Sequence, residues 1–266
     1  MHDSFDRKID YLRISVTDKC NLRCRYCMPA TGIAPLAHEQ ILSHEQIYQI
    51  VRVAAELGIT KVRLTGGEPL VRKGIVELVE MIATIDHIQM VAMTTNGILL
   101  PRFAHDLKTA GLHRLNISLD TLDPKRYAYL TRVGSLDAAL AGIDAAIEAG
   151  FTGTKINTVV TAETTEDEIL TLQNFCRDHG MTLQRIAEYR LDETKRDTVG
   201  VERPLPCREC NRIRLLATGV LKPCLHSNIE IPIDWNDIRG SLTETIKRKP
   251  AFGTVCTNRN MVQIGG

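Results

Sequence analysis

Tyr11-Leu12-Arg13-Ile14-Ser15-Val16-Thr17-Asp18-Lys19-Cys20-Asn21-Leu22-Arg23-Cys24-Arg25-Tyr26-Cys27 joins a strand to a group of thiols. Residues 11–16 read as a β-strand, rich in Leu, Ile and Val with short polar interruptions. The C-x3-C-x-Y-C run that follows puts Cys20, Cys24 and Cys27 within eight residues. Three is odd and the spacing is tight, which excludes a disulfide framework and points to a metal cluster. Three cysteines leave one iron of a 4Fe–4S cube open to a substrate or cofactor. Zinc is the alternative, but its ligands usually come as C-x2-C pairs, and a structural zinc wants four.

Strand, polar motif and helix recur down the chain. Residues 44–57 carry Ile47, Ile50, Val51, Ala54 and Leu57 at helical spacing and close on Gly58. Residues 61–64, 90–94, 114–119, 154–160 and 182–187 read as further strands. Residues 74–85, 101–110, 137–149 and 166–178 read as further helices; Pro101 opens one and Gly111 follows it. Six βα-like units predict an α/β fold with a parallel sheet and right-handed crossovers. The sheet is either doubly wound or a partial barrel, since six strands are too few for an eight-stranded one. Polar motifs sit at or near the strand ends: the cysteine run, Gly66-Gly67-Glu68-Pro69, Thr94-Thr95-Asn96-Gly97, Ser118-Leu119-Asp120, then Lys155 and Asn157, Arg185 and Glu188. Ligands of parallel α/β folds bind at the carboxyl ends of strands, so these motifs are expected to share one mouth.

A second group, Cys207, Cys210 and Cys224, lies far downstream and alone would suit a zinc knuckle. Cys176 sits in a helix-like run and reads as a buried small hydrophobe. Cys256 is a free thiol or a fourth ligand of the second group. With 266 residues the chain can bury a full core, and its formal net charge of +1 offers no global field for nucleic acid or a membrane surface. No apolar run is long enough to span a bilayer, and the polar residues 1–8 lack a signal-peptide core. Thiolates awaiting iron need a reducing compartment, so the cytoplasm is expected.

The cysteine run followed by Gly66-Gly67-Glu68-Pro69 resembles the radical S-adenosylmethionine superfamily. Within it, the chain is similar to the GTP 3′,8-cyclases of molybdenum cofactor biosynthesis. The residues that carry this are 13–20, Cys27-Met28-Pro29, 61–69, 116–120, Cys210-Asn211-Arg212-Ile213-Arg214-Leu215 and the tail Met261-Val262-Gln263-Ile264-Gly265-Gly266. The resemblance covers nearly the whole chain. It departs at residues 190–206, where the family carries a longer connector.

The resemblance implies a partial (β/α)6 TIM-type barrel over residues 1–190, and a C-terminal segment, 191–266, with a second cluster and the Gly-Gly tail. Cys20, Cys24 and Cys27 would hold the first 4Fe–4S cluster, whose open iron binds S-adenosylmethionine. Gly66, Gly67 and Glu68 would face its amine, and Tyr26, Thr95, Ser118, Lys155 and Arg185 its remaining groups. Cys207, Cys210 and Cys224 would hold the second 4Fe–4S cluster, which binds the guanine of GTP. Arg13, Lys61, Arg63, Arg212 and Arg214 would face the triphosphate, with Arg212 and Arg214 also carrying catalysis. The implied reaction removes the ribose 3′ hydrogen and bonds that carbon to carbon 8 of guanine. The implied partners are an electron donor and a downstream cyclic pyranopterin monophosphate synthase, and a second copy of the chain is a candidate. The competing readings are a radical enzyme on another substrate, a paralogue that no longer cyclises GTP, and a nucleotide sensor with a zinc knuckle.

Overall fold

The computed structural model describes residues 1–194, 200–202 and 205–265. Six strands come first: β1 (Tyr11–Ser15), β2 (Lys61–Thr65), β3 (Met90–Thr95), β4 (Arg114–Ser118), β5 (Lys155–Val160) and β6 (Thr182–Ala187). They lie side by side in chain order, each parallel to the next. The links carry α1 (His44–Glu56), α2 (Ile75–Ala83), α3 (Leu100–Thr109), α4 (Pro124–Thr131), α5 (Leu136–Glu148) and α6 (Glu166–Asp178). A doubly wound sheet reverses its strand order at a switch point, and this one does not. Unbroken order with a helical crossover in every link keeps the helices on one face. Accordingly α1 packs on α2, α2 on α3, and α3 on α5. The fold is the partial barrel.

The wall continues past the sixth strand. β7 (Arg212–Leu215) pairs in parallel with the other edge of β1, and β8 (Val220–Lys222) and β9 (Ile231–Pro232) follow antiparallel. α7 (Ile238–Lys247) packs on α1, β8 and β9, and α8 (Met261–Ile264) leads into the tail. Among the described residues no helix is long and apolar enough to cross a membrane.

Alternation along the strands positions the site. Leu12, Ile14, Val62, Leu64, Ile213 and Leu215 are fully buried in the main core, with Ile47, Ile50, Val51 and Ala54 of α1. Burying each large aliphatic contributes about 2 kcal/mol. The alternate residues, Tyr11, Arg13, Lys61, Arg63, Arg212 and Arg214, line the barrel interior. A one-residue slip would drive the cations into the helical core, so the register is firmly set.

Helix α4 has no counterpart in the periodicity reading. Its signal is a cap: Asp123 accepts from the Arg126 amide at 2.6 Å, and Pro124 takes the first helical position.

Candidate active site

All six cysteines of the two groups line one cavity of about 560 Å³ inside the barrel, and all six are free thiols. The groups stand at opposite ends. Cys20, Cys24 and Cys27 follow the carboxyl end of β1. Cys210 precedes the amino end of β7, and antiparallel β8 brings Cys224 back to the same end. The first group therefore lies at the mouth expected of the strand-end motifs, and the second at the opposite end. Residues 10–16 span the distance between the ends, roughly 20 Å at ~3.3 Å per residue.

The first loop is a tight turn. The amides of Cys27 and Met28 donate to the Cys24 carbonyl at 3.0 and 3.1 Å, and the Leu22 amide donates to Cys20 Sγ at 3.4 Å. Burial pushes the Cys24 thiol up to about 12, with the charges of Asp120 and Cys20 adding to it, and it raises Cys20 and Cys27 as well. Such thiols become thiolates when a metal supplies the countercharge. In the second group the Gly253 amide donates to Cys207 Sγ at 3.5 Å. Burial opposes ionisation of Cys210, but Lys249 and Arg212 outweigh it and hold the thiol near 7. In each group a backbone amide approaches one thiol, and thiols are the ligands of iron–sulfur clusters, although among the described residues no three such side chains converge on one metal position.

Gly66 and Gly67 allow the β2 loop to lie against the backbone that leads into the first cysteines. The amides of Gly67 and Glu68 donate to the carbonyls of Thr17 and Lys19, both at 2.8 Å. A Cβ on Gly67 would fall 2.2 Å from the Lys19 carbonyl oxygen, so only glycine fits. With these amides engaged, what the loop can turn to a ligand ammonium is carbonyl oxygen. Glu68 is 1 % exposed and accepts from Thr95 Oγ1 at 2.7 Å, the Asn96 amide at 2.7 Å and the Leu70 amide at 3.0 Å. Burial nonetheless lifts its carboxyl to about 7.

The expected ligand-holding residues divide into three sets. Ser118 and Lys155 line the cavity. Tyr26 and Thr95 line it too, but spend their hydroxyls inside the protein: Tyr26 donates to Asp120 Oδ2 at 2.7 Å, and Thr95 to Glu68. Arg185 requires a correction. Its neighbours Gln184 and Ile186 face the cavity, and strand parity turns Arg185 away, where Glu202 takes its guanidinium at 2.7 Å and its amide at 2.7 Å.

The five expected cations form a band. Arg214, Arg13 and Arg63 are in register across β7, β1 and β2, with Arg212, Tyr11 and Lys61 one level below. No carboxylate stands on the inward face of these three strands. Burial and the charge of Arg214 lower Arg13 to about 9. Arg63 Nε donates to Tyr11 Oη at 2.6 Å, and Arg212 Nε is buried without a hydrogen-bond partner among the described residues. The tail enters here: Arg13 Nη2 donates to the Gly265 carbonyl at 3.0 Å, and Arg214 Nη1 to that of Ile264 at 3.1 Å. Gly266 and the connector residues Lys195, Arg196 and Asp197 lie outside the described residues.

The sequence reading gives several lining residues no ligand role, though it places Asn157 among the strand-end polar groups and Asn116 within a matching motif. Tyr11 looked like an ordinary strand residue. Asn116, Asn157 and Gln184 form a hydrogen-bonded row, with Asn157 Oδ1 accepting from Asn116 at 3.0 Å and Gln184 at 2.9 Å. Their polarity at alternate strand positions was the available signal. Lys249, 2 % exposed, donates to the carbonyls of Arg212 and Pro223, both at 2.8 Å. Nothing local in the sequence marks it.

Residues 14–176 match the Radical SAM superfamily, where SAM is S-adenosylmethionine. The GTP 3′,8-cyclase of Alkaliphilus oremlandii is 42 % identical over 320 aligned positions, covering 100 % of both chains. That of Moorella thermoacetica is 42 % identical over 287, covering 91 % of this chain and 87 % of its own. An alignment of 320 positions over 266 residues means the first relative holds positions that this chain lacks. Streptococcus suis SuiB has the same fold, with a TM-score of 0.65 at 18 % identity over 82 % of this chain and 60 % of its own. So has native anSMEcpe with bound AdoMet, with a TM-score of 0.65 at 14 % identity over 89 % and 82 %. The chain belongs to the GTP 3′,8-cyclase family of the Radical SAM superfamily. Membership brings S-adenosylmethionine and an iron–sulfur cluster as cofactors.

Proposed function

We propose that this chain is a lyase that cyclises GTP to (8S)-3′,8-cyclo-7,8-dihydroguanosine 5′-triphosphate, the first step of molybdenum cofactor biosynthesis. The observation that carries the reading is the cation band between two thiol triplets in one cavity. Like charges gathered on one cavity wall repel and call for a polyanion, and arginine forks suit phosphate oxygens; of the five, Lys61 is already paired, with Asp10 at 3.6 Å. Arg13, Lys61, Arg63, Arg212 and Arg214 take the triphosphate. Arg212 is the readiest, because its buried Nε has no hydrogen-bond partner among the described residues.

Residues 1–190 hold the cofactor and residues 191–266 the second cluster and tail. Cys20, Cys24 and Cys27 hold one 4Fe–4S cluster, and Cys207, Cys210 and Cys224 a second. When bound, the first cluster and S-adenosylmethionine would supply the one-electron radical chemistry. The protein binds, orients and excludes water. Gly66 and Gly67 offer carbonyls to the methionyl amine. Ser118, Lys155 and the rings and stems of Tyr26 and Thr95 line the nucleoside space, without Arg185. The triphosphate band fixes the ribose between the two ends of the cavity. An external donor protein supplies the electron, and the product passes to a cyclic pyranopterin monophosphate synthase.

The test is anaerobic reconstitution with iron and sulfide, followed by incubation with GTP, S-adenosylmethionine and a reductant. The expected result is 5′-deoxyadenosine together with the cyclised nucleotide. Cleavage of S-adenosylmethionine with GTP left intact would move the reading to a radical enzyme acting on another substrate.

A further inference from the structure

We propose that Arg132 is a positioning residue for the first cysteine loop, holding in advance the segment that presents Cys24 and Cys27. The inference rests on the reading of these cysteines as cluster ligands and deepens it. Arg132 follows α4 at φ 66°, ψ −38°, one of three non-glycine residues with positive φ among those described. A long side chain there is strained, and such strain persists only where the surroundings hold it.

What holds it is the loop. Arg132 Nη1 donates to the Arg23 carbonyl at 2.6 Å and the Met28 carbonyl at 2.9 Å. Arg23 immediately precedes Cys24, and Met28 immediately follows Cys27, so one nitrogen ties together both ends of the ligand-bearing turn. The backbone of the same bend adds two bonds. The Arg23 amide donates to the Thr131 carbonyl at 3.1 Å, and the Arg25 amide to the Leu130 carbonyl at 3.0 Å. Gly134 closes the contact, since a Cβ there would lie 2.8 Å from Leu22 Cδ2. If the turn alone mattered, glycine would satisfy its φ at no steric cost. The donors are what arginine adds. Ligands held in place before a cluster arrives need less ordering when it binds. A fixed positive charge beside the loop also favours the reduced, more negative cluster.

Three variants separate the effects. Arg132→Gly suits the turn and removes the donors, Arg132→Met keeps the stem, and Arg132→Lys restores a charge. Amide hydrogen exchange is followed in the full chain before iron loading, then iron release to a chelator and the reduction potential of the first cluster after loading. In the Gly and Met variants, exchange at Arg23, Arg25, Cys27 and Met28 should rise about tenfold or more, with β1 to β6 unchanged. Iron should leave faster by a similar factor, the potential should fall, and Lys should recover part of each. Wild-type exchange, release and potential in either the Gly or the Met variant would overturn the proposal. A loop that loosens in exchange while the chain takes up no iron would uphold the clasp and sink the cluster reading.

Discussion

Glu68 shows how one residue can be legible as a motif and hidden as chemistry. The Gly-Gly-Glu-Pro run marks a ligand-binding turn, yet the carboxylate of Glu68 spends its oxygens inside the protein and ties the β2 loop to the end of β3 through Thr95 and Asn96. Three donors favour its charged form, and burial disfavours it more, leaving the carboxyl at about 7 against an ordinary 4.5. The folded state thus prefers the protonated group. Its contribution to stability is full below pH 4.5 and is lost as pH rises through 7, to a total of roughly 3 kcal/mol. Chemical denaturation of the iron-free chain should show this slope between pH 4.5 and 7, and Glu68→Gln should abolish it in the difference curve. A variant that keeps the wild-type slope would place the titration elsewhere.

At the scale of elements, the barrel was legible because its strands and helices carry clean periods. α6 and β6 fall at the residues expected, and the other predicted elements shift by only a few positions. Elements whose order is set by partners were not legible. α4 is only eight residues long and declares itself by a cap, yet its end clasps the first cysteine loop. β8 and β9, of three and two residues, exist because β7 offers an edge. The site followed the same rule. Arg212 and Arg214 were legible within the motif at residues 210–215, while their pairing with Tyr11 and Arg13 needed the parallel docking of β7 on β1. That docking puts both side chains in the cavity, so Arg212→Ala and Arg214→Ala should each weaken GTP binding about tenfold or more. Lysine should recover only part, because it restores charge without the fork. Isothermal titration of the loaded chain measures this. Unchanged affinity in the double variant would remove the triphosphate from the band.

Across the whole molecule, one sheet separates two thiol triplets that the sequence places 180 residues apart. β1 is the common reference: the first triplet leaves its carboxyl end, and the second approaches the amino end of β7, its partner. If both triplets hold clusters as proposed, the two sites are independent, and loss of one need not empty the other. Cys256 belongs to neither. It is 1 % exposed in a small core with Leu191, Leu216 and Ile264, and its thiol lies 3.3 Å from Asn258 Oδ1. The anaerobically loaded chain should hold about eight irons, the sum of two cubes. Cys24→Ala should lose about half of them and all cleavage of S-adenosylmethionine. Cys210→Ala should lose the other half and keep some cleavage, because the first site lies at the far end of the cavity. Cys256→Ser should keep both clusters, since a serine in that core removes no ligand. Iron and zinc analysis of the four proteins decides the matter. Tightly bound zinc at the second triplet after anaerobic purification would leave one cluster, and GTP would then need another anchor at that end.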